Sequence, residues 1–284
     1  MSYSNYEHLT VDFGGGVVTA TLCNPPMNLV TGQLLDELDR FTEEIAADPE
    51  PLVVVLRSST PGFFICHAKY GDLDRMRMAR VPASRDEVPL NAVHRICERL
   101  RTMDKVSIAL VRGRATGGGA AMAMACDLRY GAMGEAVFNS FGVPIGTGLG
   151  GGATQYLPRL VGRSRAMELI LAALDLDAVT AERWGYLTRA LPADEIDAYV
   201  AGLAGRIAAC PVAAVRHTKQ LISVAADTPL VEGLRDENFV LQRLMATEEA
   251  VAGITSFLEL GGETPEGESR LADLLGEVLE RSGR

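Results

Sequence analysis

The spacing of apolar and polar positions changes several times along the chain, and each change marks an element. Leu9–Phe13 and Val17–Cys23 alternate as half-buried strands do, with Gly14-Gly15-Gly16 between them predicting a hairpin turn. From Thr31 to Asp48 the period becomes helical, with Leu34, Leu35, Leu38, Phe41 and Ile45 on one face and acids on the other. Leu52–Leu56 and Val106–Val111 are apolar runs rich in β-branched residues, which is how a strand buried on both faces reads. Leu90–Met103 is predicted helical, and Leu128–Ala132 and Ala136–Phe141 are predicted short strands. Two glycine-rich turns punctuate this region. Gly113–Gly119 leads into Ala120–Cys126, a helix with no polar face and therefore a buried one. Gly146–Gly152 opens a helix near Ala153–Leu160.

From Ser164 onward the pattern is almost entirely helical, through Arg165–Ala173, Ala181–Trp184, Glu195–Ala209, Ala213–Ala225 and a long segment Val231–Leu258. Pro61–Leu73 is predicted to be a loop, and Met76–Pro89, charged and interrupted by prolines, is expected to be mobile. Gly261–Gly267 is a linker to a short acidic helix, Ser269–Arg281, and no internal sequence repeat is evident.

The bulk properties narrow the class. The chain has 284 residues, enough for a large core, and a formal net charge of -10. That acidic balance argues against nucleic acid as a main partner and against a polybasic membrane anchor, while leaving room for a local basic patch. The five cysteines are scattered, odd in number and without a C-x-x-C pair, so a reduced, cytoplasmic setting is expected, with no disulfide framework and no metal site. His94 and Cys97 share a helix face three residues apart, but two ligands make a poor metal site and packing explains them better. The N-terminal residues lack the apolar core of a signal peptide, and no apolar run reaches the ~20 residues of a membrane helix.

A glycine cluster between a buried strand and a buried helix lets backbone N–H groups point into a pocket, and the helix adds partial positive charge there. A dinucleotide site would need the cluster after the first strand of a βαβ unit with an acid ~20 residues on, and this turn lacks that placement. A phosphate-binding P-loop would need Gly-Lys-Ser/Thr, which is missing. An oxyanion hole for an enolate or tetrahedral anion fits. On the turn alone, close helix–strand packing is the better account, since it needs glycine too.

Four collinear motifs change that weighting. Val106–Val111, Arg112-Gly113-Arg114-Ala115-Thr116-Gly117-Gly118-Gly119 and then Cys126-Asp127 resemble the core signature of the crotonase (enoyl-CoA hydratase/isomerase) superfamily. Leu52–Ser58 followed by Gly62-Phe63-Phe64-Ile65-Cys66-His67-Ala68-Lys69 is similar to its oxyanion strand and loop. Gly146–Arg159 with Val161-Gly162-Arg163, and Asp177–Gly185, supply the other two, and the resemblance runs from about residue 6 to 260. It implies an α/β fold with a crotonase-type repeated ββα core and a C-terminal helical region. On that reading residues 1–200 are the core, 201–262 a helical trimerisation region, and 263–284 a linker with a short acidic helix. The amides of Ala68 and Gly118 would form the oxyanion hole over the carbonyl of an acyl-CoA thioester. Coenzyme A would enter as part of the substrate, with no separate cofactor, and the assembly would be a homotrimer or hexamer.

The sequence departs from the family at the acid–base positions. The glutamate expected three residues after the oxyanion glycine is Ala121, and the second expected glutamate is Gly142. Neither side chain can carry a proton, so a standard hydratase is not expected. The family's Gly-Ala-Asp is His67-Ala68-Lys69, its asparagine before the glycine turn is Arg112, and its late basic cluster is Leu258-Glu259-Leu260-Gly261-Gly262. Candidate substitutes for catalysis are His67, Tyr70 and Asp72. Ala121, Asn139, Ser140 and Gly142 would line the substrate pocket, and Lys69, Arg112 and Arg114 would supply charge to CoA. Asp127 and Glu135 are expected at a helix end and on the surface. Cys66 and Cys126 are expected to be buried rather than nucleophilic. The leading expectation is a lyase or isomerase acting through an enolate, with decarboxylation best suited because loss of carbon dioxide needs no base. Thioester hydrolysis, and a non-catalytic acyl-CoA-binding or assembly protein, are the alternatives.

Overall fold

The computed structural model describes residues 3–71 and 81–282. Asp72 and residues 76–80 of the stretch expected to be mobile lie outside the described residues. Among the described residues ten strands form two sheets. They are β1 (Leu9–Gly14), β2 (Val17–Leu22), β3 (Val53–Ser58), β4 (Gly62–Phe63), β5 (Val106–Val111), β6 (Gly113–Thr116), β7 (Leu128–Ala132), β8 (Val137–Asn139), β9 (Leu176–Asp177) and β10 (Arg189–Leu191). The larger sheet has the order β1-β2-β3-β5-β7-β10 and the smaller β4-β6-β8-β9. β1 and β2 pair antiparallel, whereas β2, β3, β5, β7 and β10 run parallel.

The helices are α1 (Gly32–Ala47), α2 (Ala92–Thr102), α3 (Gly118–Ala125), α4 (Ala153–Val161), α5 (Arg163–Leu171) and α6 (Ala178–Trp184). After β10 come α7 (Ile196–Ala208), α8 (Val212–Val224), α9 (Leu230–Met245), α10 (Glu248–Glu259), α11 (Pro265–Ser269) and α12 (Leu271–Arg281). A strand of the large sheet, a strand of the small sheet and a helix follow one another as β5-β6-α3 and again as β7-β8-α4. The repeated ββα core is therefore present in three dimensions although no sequence repeat announces it.

Side-chain alternation divides the core into two layers. Val54, Leu56, Ala109 and Val111 face α1 and α2, where Leu34, Leu38, Phe41, Ile45, Ile96 and Leu100 are buried with them. The intervening Val53, Val55, Ile108 and Leu110 face the other way, onto Ile196, Val200, Ala204 and Ala208 of α7. A parallel strand sandwiched between helices must be apolar on both faces, which is why β3 and β5 read as apolar runs. Thr31 caps α1 by accepting from the Leu34 N–H at 3.2 Å.

The structure corrects the sequence reading at several places. Residues 113–116 are a strand of the small sheet, so the turn shrinks to Gly117. β9 and β10 interrupt the region expected to be all helix. The long helix expected over Val231–Leu258 is two helices, because Thr247 accepts from the Ala250 N–H at 3.2 Å and starts α10 afresh. The tail helix α12 docks on the body: Leu274 is fully buried and Arg206 donates to the Ala272 carbonyl at 2.7 Å.

Two glycines hold the sheets and α3 together. A β-carbon at Gly113 would lie 2.3 Å from the Gly62 carbonyl carbon, and one at Gly119 would lie 1.9 Å from the Ile65 carbonyl oxygen. Both obstacles are backbone, which cannot rotate aside as a side chain does. Gly119→Ala is therefore expected to destabilise the chain by more than ~3 kcal/mol in urea denaturation, well beyond a surface substitution. Gly202→Ala, at an exposed position of α7 with open space around it and no positive φ, serves as the control.

Candidate active site

Two extended segments cross at the start of α3. The first, residues 64–69, is fixed by backbone hydrogen bonds: Phe64 N–H to the Arg114 carbonyl, Cys66 N–H to that of Asn28, and Lys69 N–H to that of Val30, all at 2.9–3.0 Å. The His67 N–H donates to the Thr116 hydroxyl at 3.1 Å. In the second segment the Gly117 N–H donates to the Asn139 carbonyl at 2.9 Å. The segments touch at Gly117, where a β-carbon would come within 2.9 Å of the His67 β-carbon and 3.2 Å of its α-carbon. Gly117 also has φ +54°, a left-handed conformation that costs a side-chain-bearing residue ~1 kcal/mol or more.

The next residue on each segment is Ala68 and Gly118, and among the described residues neither amide has an acceptor. Gly118 is the first residue of α3, so its N–H is one of the donors a helix start leaves unpaired, in the helix's positive field. Ala68 is exposed. Two uncommitted amides therefore follow the crossing, one on each segment.

The side chains expected to replace the missing acid–base pair divide into those that meet and those that do not. The His67 imidazole contacts its neighbour's carbonyl, Nδ1 to Ala68 oxygen at 2.8 Å, which requires the proton on Nδ1. Its ring stacks on Tyr70 with centroids 5.7 Å apart and meets the edge of Phe141 at 4.9 Å. Tyr70 is 42% exposed.

A cavity of about 320 Å³ opens on the outer face of the small sheet. Its walls include Cys66, His67, Arg114, Thr116, Asn139 and Phe141. Arg114 is bound there by two hydrogen bonds to Asp175, at 2.8 and 3.0 Å. The Asn139 amide nitrogen donates to the same carboxylate at 2.9 Å and to the Ala173 carbonyl at 2.8 Å. Arg114, with Asn139 adding, holds the Asp175 carboxyl below the usual carboxylate range. Burial pushes the Cys66 thiol up and the Cys126 thiol to about 12, as expected of cysteines that pack rather than attack.

Three expectations need correction. Arg112 is not a free cation for CoA: it pairs with Glu135 at 3.2 Å and with Asp197, away from the cavity. Ser140 is 6% exposed and does not line the cavity. Asp127 is more than a helix-end residue, since it accepts from the Ser107 amide at 2.7 Å and pairs with Lys219 at 2.7 Å. Lys69 is exposed beside Ala68.

At the two positions where the family resemblance leads us to expect glutamates, neighbours close in. Ala121 is fully buried, and the Gly151 turn presses on it: a β-carbon at Gly151 would lie 2.8 Å from that of Ala121 and 2.7 Å from a Val93 methyl. At Gly142 a β-carbon would meet the Leu149 Cδ2 at 2.9 Å. Apolar groups thus stand at both positions, Val93 beside Ala121 and Leu149 beside Gly142, and the same valine methyl lies 3.7 Å from the β-carbon position of Gly118. Sequence reasoning missed Asp175, Phe141, Val93 and Leu149. Their roles arise from contacts between distant segments, and only the two missing glutamates pointed to a wall that something else must fill.

Residues 12–264 match the sequence profile of the family described as enoyl-CoA hydratase/isomerase. The chain is 32% identical over 249 residues to the Arabidopsis thaliana protein named "Probable enoyl-CoA hydratase 2, mitochondrial", covering 86% of this chain and 79% of that one. It is 30% identical over 246 residues to the short-chain-enoyl-CoA hydratase of Clostridium acetobutylicum, covering 86% and 92%. Among solved structures, Pseudomonas aeruginosa DspI superposes with a TM-score of 0.80 at 28% identity, covering 91% of this chain and 96% of that one.

The contact at Gly117 gives a direct test of the crossing. Gly117→Ala is expected to cost ~2 kcal/mol or more, from its φ and from the His67 β-carbon. In a His67→Gly background the β-carbon is gone, and the same substitution is expected to cost ~1 kcal/mol less. Urea denaturation of the four proteins in this double-mutant cycle measures the coupling.

Proposed function

The chain belongs to the enoyl-CoA hydratase/isomerase family, and from that membership we propose that it binds an acyl-CoA thioester with the carbonyl oxygen between the Ala68 and Gly118 amides, and that it is not a hydratase. The observation that carries this reading is the pairing of two uncommitted amides with an apolar wall where the family's carboxylates would stand. Hydration needs a group to position and deprotonate water and another to protonate the α-carbon. Ala121 and Gly142 can do neither, and Leu149 and Gly151 occupy the space beside them. The hydratase names of its relatives describe those proteins.

Decarboxylation suits what remains. When a thioester carries a carboxylate on its α-carbon, as malonyl-CoA does, loss of carbon dioxide leaves its bonding pair as the enolate. The site then has only to hold the enolate oxygen and admit a proton. Each backbone donor aimed at a developing oxyanion contributes about 3 kcal/mol, so two supply a large part of such a barrier. An apolar wall helps further, because a carboxylate pressed against it is less well solvated than carbon dioxide. Lys69, exposed next to Ala68, is the cation best placed for a CoA phosphate. Arg114 is committed to Asp175 and Arg112 to Glu135 and Asp197.

The C-terminal helices supply the reason to expect assembly. Neither α9 nor α10 has a buried residue, and they leave Leu230, Leu234, Phe239, Val251 and Leu258 exposed. Amphipathic helices with nothing covering the apolar face need a partner surface. We assign that partner to further copies of this chain, as a trimer.

Two measurements test the proposal. Malonyl-CoA is expected to lose carbon dioxide, while crotonyl-CoA binds without loss of its enoyl absorbance. Rapid hydration of crotonyl-CoA would refute the reading. Gly118→Pro, which deletes one donor, is expected to lower decarboxylation ~10²–10³-fold. Light scattering after gel filtration is expected to give three times the 30.4 kDa chain mass.

A further inference from the structure

An enolate site without its carboxylates still has to move a proton, and α2 carries a group for that task. His94 lies between two residues that fix which way its stripe of the helix faces. Three positions before it, the Asn91 amide nitrogen is 3.8 Å from the β-carbon position of Gly150, in the second glycine turn. Four positions after it, the Glu98 carboxylate accepts from the Tyr156 hydroxyl of α4 at 2.6 Å. Residues three and four apart on a helix lie along one face. His94 is therefore bracketed against the turn and helix that cover Ala121. Its neighbour Val93 places a methyl 3.7 Å from the Gly118 β-carbon position and 2.7 Å from that of Gly151. The stretch of α2 that includes His94 thus runs beside both the oxyanion glycine and the filled glutamate position.

The imidazole is not used up by the fold. Its Nδ1 is buried and has no hydrogen-bond partner among the described residues. A polar atom buried without a partner costs ~1–3 kcal/mol and calls for an explanation. Glu98 sits one helical turn on, its carboxyl held below the ordinary range chiefly by Arg101, with Tyr156 adding and the charge of His94 contributing. Arg101, at 2.7 and 3.0 Å, and the Tyr156 hydroxyl fix this carboxylate four residues after His94, on the same side of α2. His67 differs on each point: its Nδ1 is spent on the Ala68 carbonyl and its ring is held by Tyr70 and Phe141 at the small sheet.

Resting on the thioester reading above, we infer that His94 is the proton carrier of the site, giving a proton to the α-carbon of the enolate, with Glu98 as its positioning residue. The step balances. The imidazolium N–H bond breaks as the α-carbon–hydrogen bond forms, the enolate pair becomes that new bond, and the neutral imidazole regains a proton from solvent. Run backwards, the neutral ring removes an α-proton from a saturated acyl-CoA.

That reversal supplies the test. Butyryl-CoA in D₂O, followed by proton NMR, is expected to lose its α-proton signal in the presence of the wild-type chain. His94→Gln is expected to slow exchange at least ~100-fold, the scale of a lost general base, with unchanged affinity for butyryl-CoA. His217→Gln, at an exposed position of α8 away from the site, is expected to stay within about twofold of wild type. Glu98→Gln is expected to slow exchange about tenfold without moving the half-saturating concentration, a split that general loosening of the fold would not give. Retained exchange in His94→Gln, or no exchange by a wild-type chain that binds butyryl-CoA, overturns the role of His94. Gly118→Pro separates the two readings: if it exchanges as fast as wild type, the oxyanion assignment falls, whereas loss in Gly118→Pro with retention in His94→Gln removes only the proton carrier.

Discussion

The approach of residues 65–67 to residues 117–119 is the contact on which the rest of the site depends. Ile65 presents its carbonyl oxygen where Gly119 has no side chain, and His67 packs its α- and β-carbons against Gly117. Nothing larger than glycine fits at either point. The contact is made by backbone, so it fixes backbone, and the two amides that follow it are set in place without help from any functional side chain. The two amides therefore keep their placement whatever side chains stand at residues 121 and 142. The donors belong to the fold's packing, and the acid–base groups are attached to it.

The surroundings of residues 121 and 142 are set by packing. A glutamate at residue 121 would meet the Gly151 turn, whose φ of +70° already commits it to glycine, and the Val93 methyl. At residue 142 the Leu149 side chain stands where a new side chain would begin, with the Gly148 carbonyl at 3.2 Å. Water gains little in such a pocket, because a water molecule needs two or more polar partners to be held.

Much of this was legible in the chain, for physical reasons that can be stated. β3 and β5 are covered on both faces, so their burial leaves an unbroken apolar signature. α3 is buried all round, and its run of glycine, alanine and methionine permits nothing else. β9 and β10, at two and three residues, are too short to carry a period and exist because an existing sheet edge accepts them. The break at Thr247 was hidden for a similar reason. A hydroxyl that caps a helix looks, in sequence, like one polar position within it. Among the candidate site residues, the position of Ala68 and Gly118 just past the crossing was legible in the motif spacing. The fate of Arg112 and Arg114 was not, because their partners Asp197 and Asp175 are 85 and 61 residues away.

Those arginines bear on how the chain holds a charged substrate. Three cations were expected to serve CoA, and two are spent on carboxylates of the chain itself. Arg112 ties the junction of β5 and β6 to Asp197 at the start of α7. Arg114 ties β6 to the segment that enters β9. Both pairs brace the small sheet against elements that arrive late in the chain, and both lie at half-exposed positions where an ion pair contributes little to stability and more to placement. With that charge removed and a formal balance of -10 over the whole chain, attraction for phosphate is weak. On the thioester reading proposed above, affinity comes chiefly from the Ala68 and Gly118 amides and the apolar side chains beside them. These lie at the reacting end of the substrate, where binding that strengthens in the transition state raises the rate of the chemical step.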